Sequence, residues 1–335
     1  MGKRVVIVGG GVAGMQTALS LKARGAEPVI VEREERLGGK LVGWHKLFPT
    51  FTPAGDVLGP LLGMVDKAGI KVMTGSAVAS LERGGVVLSD GSRVEGDATV
   101  VCSGFDIFDA RIKEEYGYGI YDNVFTTVDV ERMFNEGRVA TAQGTAPRRV
   151  VFLHCVGSRD EKVGAHHCSK VCCITGVKQA MEMKALFPEA EIYNFYMDIR
   201  MFGPGYEELY RRAQLECNIN FVRGRISEAS QTMDGRVQIK AEDTLVGRPL
   251  KMTTDMLVLI VGMKGGACNG AFARSGGLHV AENGFMQPRD MFLGSVCSER
   301  DDLFYAGAVT APKNIGECLN DGCAVADRVA EYLNL

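Results

Sequence analysis

The sequence predicts an α/β fold in which a dinucleotide-binding domain is interrupted by a smaller α/β domain. Three observations carry that reading. The chain opens on a β-branched run, a glycine turn and an apolar-faced helix. A second buried-strand pattern starts at Arg149, just after the linker-like Gly144-Thr-Ala-Pro147. Strand character then returns at Asp255–Val261 and at Asp302–Ala306, ahead of a closing helix at about 316–333. Residues 1–145 and 256–335 are therefore expected to form one discontinuous domain, with 146–255 inserted.

Composition sets the limits. The 335 residues are 46% hydrophobic and 24% charged, ordinary for a globular chain with about two domains. No stretch approaches the roughly 20 apolar residues of a membrane span. The formal charge is −3 with no basic block, which argues against nucleic acid. Val5–Val8 runs straight into glycines, so the start does not read as a signal peptide, and the ten cysteines read as reduced thiols in a cytoplasmic protein.

Arg4–Val8 is the first strand. Met15, Ala18, Leu19 and Leu21 give the following helix its apolar face, and Gly25 ends it. Pro28–Val31 is the second strand. Residues 70–72, 76–78, 86–88 and 98–102 are further strand runs, with Asp90-Gly91 as a hairpin signal. In the second region Arg149–Leu153 is a strand, and Cys173–Phe187 and Gly205–Cys217 have helical patterns. There are no tandem repeats.

Between the first strand and helix stands Gly9-x-Gly11-x-x-Gly14. The first glycine permits the tight turn, the second admits a pyrophosphate to the backbone, and the third lets helix and strand pack. The phosphates would sit on the helix N-terminal amides of Val12 and Ala13. Glu32 follows Gly14 by 18 residues, at the end of the second strand, where an acid binds ribose hydroxyls.

After Glu32 comes Arg33-Glu-Glu-Arg-Leu-Gly38-Gly39-Lys40-Leu41. Near the end stands Asp302-Leu-Phe-Tyr-Ala-Gly307-Ala308. Together these resemble the two-dinucleotide-binding-domain flavoproteins, the group of thioredoxin reductase. The resemblance implies FAD rather than NAD. It implies a site drawing on Gly9, Gly11, Val12, Ala13, Gly14, Glu32, Arg33, Gly39, Lys40, Leu41, Val78, Ser103, Gly104, Gly307, Ala308 and Gly316. Ala308 replaces the usual Asp, so Thr310 or Asn314 is the expected ribityl partner.

The second glycine fingerprint of that group is missing. Where it is expected stands His154-Cys155-Val-Gly157-Ser-Arg159. The full pattern is Cys155-x12-Cys168-x3-Cys172-Cys173, four thiols in 19 residues. Four thiolates so spaced can close round a [4Fe–4S] cube, with Cys168 and Cys172 facing one way at a helix start. Three other readings compete: buried thiols without a role, a structural zinc site, and a redox dithiol. Histidine ligation from His154, His166 or His167 is a lesser option.

Cys155-Val-Gly-Ser-Arg-Asp, Cys168-Ser-Lys-Val-Cys-Cys and Met197-Asp-Ile-Arg-Met-Phe-Gly-Pro-Gly-Tyr-Glu-Glu resemble the A-subunit family of heterodisulfide reductase. The resemblance implies FAD, a [4Fe–4S] cluster on Cys155, Cys168, Cys172 and Cys173, a homodimer, and B- and C-type partner subunits. The long methanogen form carries ferredoxin modules, and none is present here. Phe48-Pro-Thr50 also lacks the cysteine pair that often follows it. The chain thus looks like the short subunit of heterodisulfide-reductase-like complexes of sulfur oxidisers. A second relative is the A subunit of the quinone-interacting oxidoreductase of sulfate reducers.

Lys178 is a candidate flavin-tuning residue, with a solvated helix lysine as the alternative. Trp44 and Phe48 read as core, and Tyr206–Arg212 as a solvated face or a subunit contact. Cys102, Cys217, Cys268, Cys297, Cys318 and Cys323 read as small buried hydrophobes. The functional expectation is an electron-transfer flavoprotein subunit of an oxidoreductase, without direct NAD(P)H use or membrane insertion. The alternatives are a stand-alone disulfide reductase using Cys172 and Cys173, and a zinc-stabilised scaffold.

Overall fold

A computed structural model describes residues 2–335. The chain divides into two units, residues 1–42, 54–106 and 264–335 on one side and 43–53 and 107–263 on the other.

The first unit is built on a parallel five-stranded sheet. Its order is Leu303–Tyr305, Ala98–Val101, Arg4–Val8, Glu27–Val31, Lys71–Met73. Arg4–Val8 lies in the centre, where both faces are covered, so its run is apolar throughout and Val5, Val6 and Ile7 are wholly buried. The helix Val12–Ala23 returns over the sheet and packs on the closing helix Ile315–Leu333. Gly322 permits the approach, since a Cβ there would lie 3.0 Å from the Ala13 carbonyl oxygen. A three-stranded antiparallel sheet, Val78–Glu82, Gly85–Leu88 and Arg93–Glu95, also belongs to this unit. Asp90-Gly91 does turn a hairpin, with Gly91 at φ +86°, but into Arg93–Glu95, a strand too short and polar to read from sequence.

The second unit repeats the plan. Its parallel sheet runs Val124–Thr126, Met256–Val261, Arg149–Val156, Glu191–Tyr196, Asn220–Arg223. A three-stranded antiparallel sheet again accompanies it, made of Ile226–Gln231, Val237–Asp243 and Arg248–Thr254. Phe152, Val150 and Val258 sit at the centre of one apolar cluster, which also takes in the helix Cys172–Leu186.

The units do not divide where the sequence pattern placed the boundaries. Residues 107–145 belong to the second unit because Val124–Thr126 pairs with Leu257–Leu259. Asn123 then ties the Gly144 loop inward, donating to Gln143 and to the Gly235 carbonyl. Residues 256–263 also belong there, since Met256–Val261 is the strand beside Arg149–Val156. The segment 43–53 joins them through His45, whose amide donates to Glu131 at 2.8 Å, and Phe48, edge-on to Tyr206. Tyr206–Leu215 is accordingly not a purely solvated helix: Leu209 and Ala213 are buried.

Removing the ring of Phe152 from this close-packed cluster is expected to cost about 3–5 kcal/mol. Phe152→Ala should therefore lower the urea midpoint of the second unit's transition, followed by circular dichroism.

Candidate functional site

In the first unit only residues 9–11 separate strand from helix. Gly9 has φ +108°, and a Cβ there would stand 2.5 Å from the Cys102 carbonyl oxygen. A Cβ on Gly14 would stand 1.9 Å from the Gly9 oxygen. Both glycines are required by the fold itself. Gly11 differs: the nearest atom to a Cβ there is Gly39 Cα, at 3.9 Å. The space over Gly11 is open, and Gly39, at φ +55°, faces it with no side chain.

The helix begins at Gly11 without a side-chain cap, leaving the first-turn amides as donors, as an anion site needs. Glu32 is buried and held in place: Oε2 accepts from the Gly10 amide at 2.6 Å and Oε1 from the Glu34 amide at 2.9 Å. Ser103 and Gly104 follow the strand that meets Gly9, and Gly104 has φ +72°. Gly307 reaches the same helix start, since a Cβ there would be 2.6 Å from Ala13 Cβ. Leu41 is buried, and Lys40 stands 5.2 Å above the Phe105 ring, its pKa lowered by burial.

The remaining positions are less central. Arg33 is exposed and paired with Glu34, and Val78 is half-buried at the head of its strand. Ala308 is buried. Thr310 accepts from Lys313, which also pairs with Asp321, and Asp321 accepts from the Gly307 amide at 3.0 Å. Asn314 caps the closing helix in a capping box with Glu317, beside Gly316, so its amide oxygen is already engaged. Lys313 and Asp321 carry no motif, and no sequence signal pointed to them.

In the second unit residues 157–171 separate strand from helix, and the four cysteines line this crossing. Cys155 ends the strand at φ +61°, and Cys172 and Cys173 open the helix. Cys168 lies in the loop rather than on the helix. Lys170, at φ +61°, turns the chain between them. The expected shared helical face of Cys168 and Cys172 is therefore replaced by a turn. Even so, Cys172 lies close enough to each of Cys155, Cys168 and Cys173 for the four to titrate together. These neighbours and burial push the Cys172 pKa well up, while those of the other three are lowered, chiefly by Cys172. The thiols meet in contact with one another. Among the described residues no three His, Cys, Asp or Glu groups are set as ligands of one metal ion.

The crossing is fixed from all sides. Ser158 and Ser169 hydroxyls bond at 2.5 Å, and Ser169 accepts from the Met263 amide. Gly157, at φ +71°, leaves room for the Phe108 ring, which a Cβ would meet at 2.0 Å. His154 is buried between Asn194, at 2.8 Å, and the Cys173 thiol, while His167 bonds the Met263 carbonyl. His166 is exposed. Asp160, Lys113 and Arg225 form an ion group in which Asp160 and Lys113 are both buried.

Lys178 is not solvated. It is almost fully buried against Glu131 and Glu182, Gln179 donates to Glu131, and His45 reaches Glu182 at 2.9 Å. Of the scattered cysteines, Cys102 and Cys318 are buried, with pKa pushed up by desolvation to about 12 and about 11. Cys217, Cys268 and Cys297 are half-buried. Cys323 is exposed, because its helix position faces outward, and it departs from expectation. Among the described residues no helix is long and apolar enough to cross a membrane.

A family model described as pyridine nucleotide-disulphide oxidoreductase matches residues 3–145. The iron-sulfur A subunit of the CoB–CoM heterodisulfide reductase of Methanocaldococcus jannaschii is 31% identical over 98% of this chain and 64% of its own. The A subunit of the H2:CoB-CoM heterodisulfide,ferredoxin reductase of Methanothermobacter marburgensis is 37% identical over 71% of this chain and 37% of its own. This chain belongs to the A-subunit family of heterodisulfide reductase. It spans about 64% of the length of the first relatives it matches. The architecture is that of thioredoxin reductase. The T. acidophilum enzyme superposes with a TM-score of 0.69 at 18% identity, each chain covered to 99%. The Lactococcus lactis enzyme gives 0.71 at 16%, over 99% of this chain and all of its own.

Within this member of the A-subunit family, Asp160 anchors the loop that carries Cys168. Its carboxyl pKa is lowered: burial opposes the shift, and the Lys113 and Arg225 charges outweigh it. A depressed carboxyl stabilises the fold above its unfolded pKa and loses that contribution as pH falls through the folded value. Asp160→Asn should cost about 1–3 kcal/mol, because Lys113 loses one carboxylate but keeps its ion pair with Glu115 at 2.8 Å. It should also flatten the loss of stability that the parent is expected to show below about pH 4 in urea titrations.

Proposed function

We propose that this chain is the FAD- and [4Fe–4S]-containing electron-transfer subunit of a heterodisulfide-reductase-like oxidoreductase. One observation carries the reading. At the junction where the first unit has a glycine cradle, the second unit brings four thiols together around Cys172.

The first unit fits FAD in three respects: the open face of Gly11, the uncapped helix amides and the fixed carboxylate of Glu32. Glu32 would accept from ribose hydroxyls while it holds the Gly10 turn closed. Gly39, Ser103, Gly104 and Gly307 would keep side chains out of the cofactor's path. The donor set of the second unit is all sulfur, with no carboxylate among the thiols, as iron–sulfur chemistry prefers. Non-glycine residues at positive φ, Cys155, Arg159 and Lys170, hold the crossing in a conformation that a mere connection does not need. The helix N-terminus at Cys172 and Cys173 favours negative charge there. Bound FAD supplies two-electron chemistry divisible into one-electron steps, and a cluster carries single electrons.

Lys178 is a buried cation held between Glu131 and Glu182. Substrate chemistry lies on B- and C-type partners, in dissimilatory sulfur metabolism, with the chain as a homodimer in the cytoplasm. The domain assignment follows: the first unit binds FAD and the second carries the cluster.

Gly11→Val is expected to stay folded, since protein atoms leave room, and to purify without flavin absorbance. Full yellow flavin in that variant would place the cofactor elsewhere. The parent should contain about four irons per chain, and Cys168→Ala should lose most of them. Zinc, or thiols alone, would refute the cluster. Mixed anaerobically with NADH or NADPH, the chain should bleach slowly or not at all, while dithionite bleaches it. Rapid, saturable bleaching by either nucleotide would instead favour a stand-alone reductase.

A further inference from the structure

Two buried side chains beside the cysteine-bearing crossing carry polar atoms that nothing satisfies. His154 precedes Cys155 on the strand Arg149–Val156, and Asn194 lies on the neighbouring strand Glu191–Tyr196, opposite Phe152. Residues two apart share a sheet face, so Asn194 and His154 meet on the side that the helix Cys172–Leu186 covers. The ring Nε2 lies 2.8 Å from Asn194 Oδ1. His154 Nδ1 and Asn194 Nδ2 are both buried without a hydrogen-bond partner. Such orphans are rare and ask for a reason.

The helix makes room for this ring. Gly176 sits in its second turn, where glycine is a poor helix former, and a Cβ there would stand 2.7 Å from His154 Cε1. Gly176 is three residues beyond Cys173, on the same side of the helix. Cys173 is the thiol beside the ring. With Nε2 taken by Asn194, Nδ1 is the nitrogen left for it.

Hydrogen bonding decides which end of the Asn194 amide faces the ring, since the two ends have nearly one shape. With Oδ1 toward the ring, Nε2 carries the hydrogen and Nδ1 offers only a lone pair. A cysteine that ligates a cluster is a thiolate and also offers only lone pairs. The two would repel, and both orphans would persist. With Nδ2 toward the ring, the amide donates to Nε2, and Nδ1 carries a hydrogen free to reach the Cys173 sulfur. Both nitrogens are then satisfied and no charge is added to the interior. The amide oxygen left over is the better tolerated omission, because under-satisfied carbonyls are commoner than orphaned N–H groups.

We propose that His154, locked by Asn194, is a positioning residue for the cluster: its Nδ1–H donates to Cys173 Sγ and raises the potential at which the cluster takes up an electron. The proposal rests on the cluster reading above. Reduction adds negative charge to the sulfurs, so a donor fixed on one of them stabilises the reduced cluster more than the oxidised one. No proton is exchanged, and the imidazole keeps its hydrogen in both oxidation states.

The test uses the purified holoprotein, titrated anaerobically with dithionite, with the reduced cluster read by electron paramagnetic resonance. His154→Phe keeps a ring of similar shape and removes the donor. It should shift the one-electron equilibrium about tenfold toward the oxidised cluster, a fall of ~59 mV in the midpoint, with iron content at the parent level. Pulsed spectra of the reduced parent should show a histidine nitrogen coupled to the cluster, and the variant should lose that signal. A residue that only filled space would change stability and leave both readouts where they were. An unchanged midpoint, or a coupling that persists unaltered in the variant, would overturn the proposal. If His154→Phe loses iron, Asn194→Leu decides: it keeps the ring but frees it, and should lower the midpoint and weaken the coupling, with parent values overturning the proposal. A parent without iron would sink the cluster reading instead. Nitrogen NMR of histidine-labelled protein, assigned against His154→Phe, then still judges the hydrogen bond: a hydrogen on Nδ1 upholds it, and a hydrogen on Nε2 overturns it.

Discussion

The second unit depends on how the chain passes from the strand Arg149–Val156 to the helix Cys172–Leu186. Both elements are pinned in the core, so residues 157–171 must fold on themselves over a fixed gap. The Asp160 and Lys113 pair does most to hold them. Two opposite charges are buried side by side, with Glu115 as a second partner for Lys113 and Arg225 for Asp160. Around that pair the serine contact, the Phe108 ring in the space beside Gly157 and the Arg159 to Asp198 bond fix the rest. A loop so held can keep three non-glycine residues at positive φ.

Much of this was legible in the sequence. The glycine turn, its helix and Glu32 follow from local spacing, because strand, turn and helix are consecutive and the steric demand on each glycine is local. The four cysteines were legible as a group because adjacent thiols in a reduced chain call for a chemical reason. The unit boundaries were not. A strand such as Val124–Thr126 joins its sheet through partners more than a hundred residues away, and nothing in three residues announces that. The glycine and proline run at 144–147 looked like a linker because it is a turn, and turns inside a unit have the same composition as turns between units.

The ion group around Lys178 was also beyond the sequence. Glu131, Glu182 and His45 come from three separate segments, and only the fold shows that they share one buried space. A single lysine between two carboxylates in a low-dielectric interior is costly to build. The structure lowers that cost with Gln179 and with the His45 amide, both donating to Glu131. His45 is brought there by the short segment 43–53, which leaves the first unit's sequence to join the second.

In the two parallel sheets four strands follow one order, and the fifth, at the same edge, is the last strand of the first unit and the first strand of the second. The junction after the central strand also differs: three residues with a glycine turn in one unit, a cysteine-bearing crossing in the other. Because the junction lies at the strand ends, it can be long and carry cysteines while the strands beside it keep their pairing. Acquiring a new kind of chemistry in this architecture asks for a rewritten connection, not for a new fold.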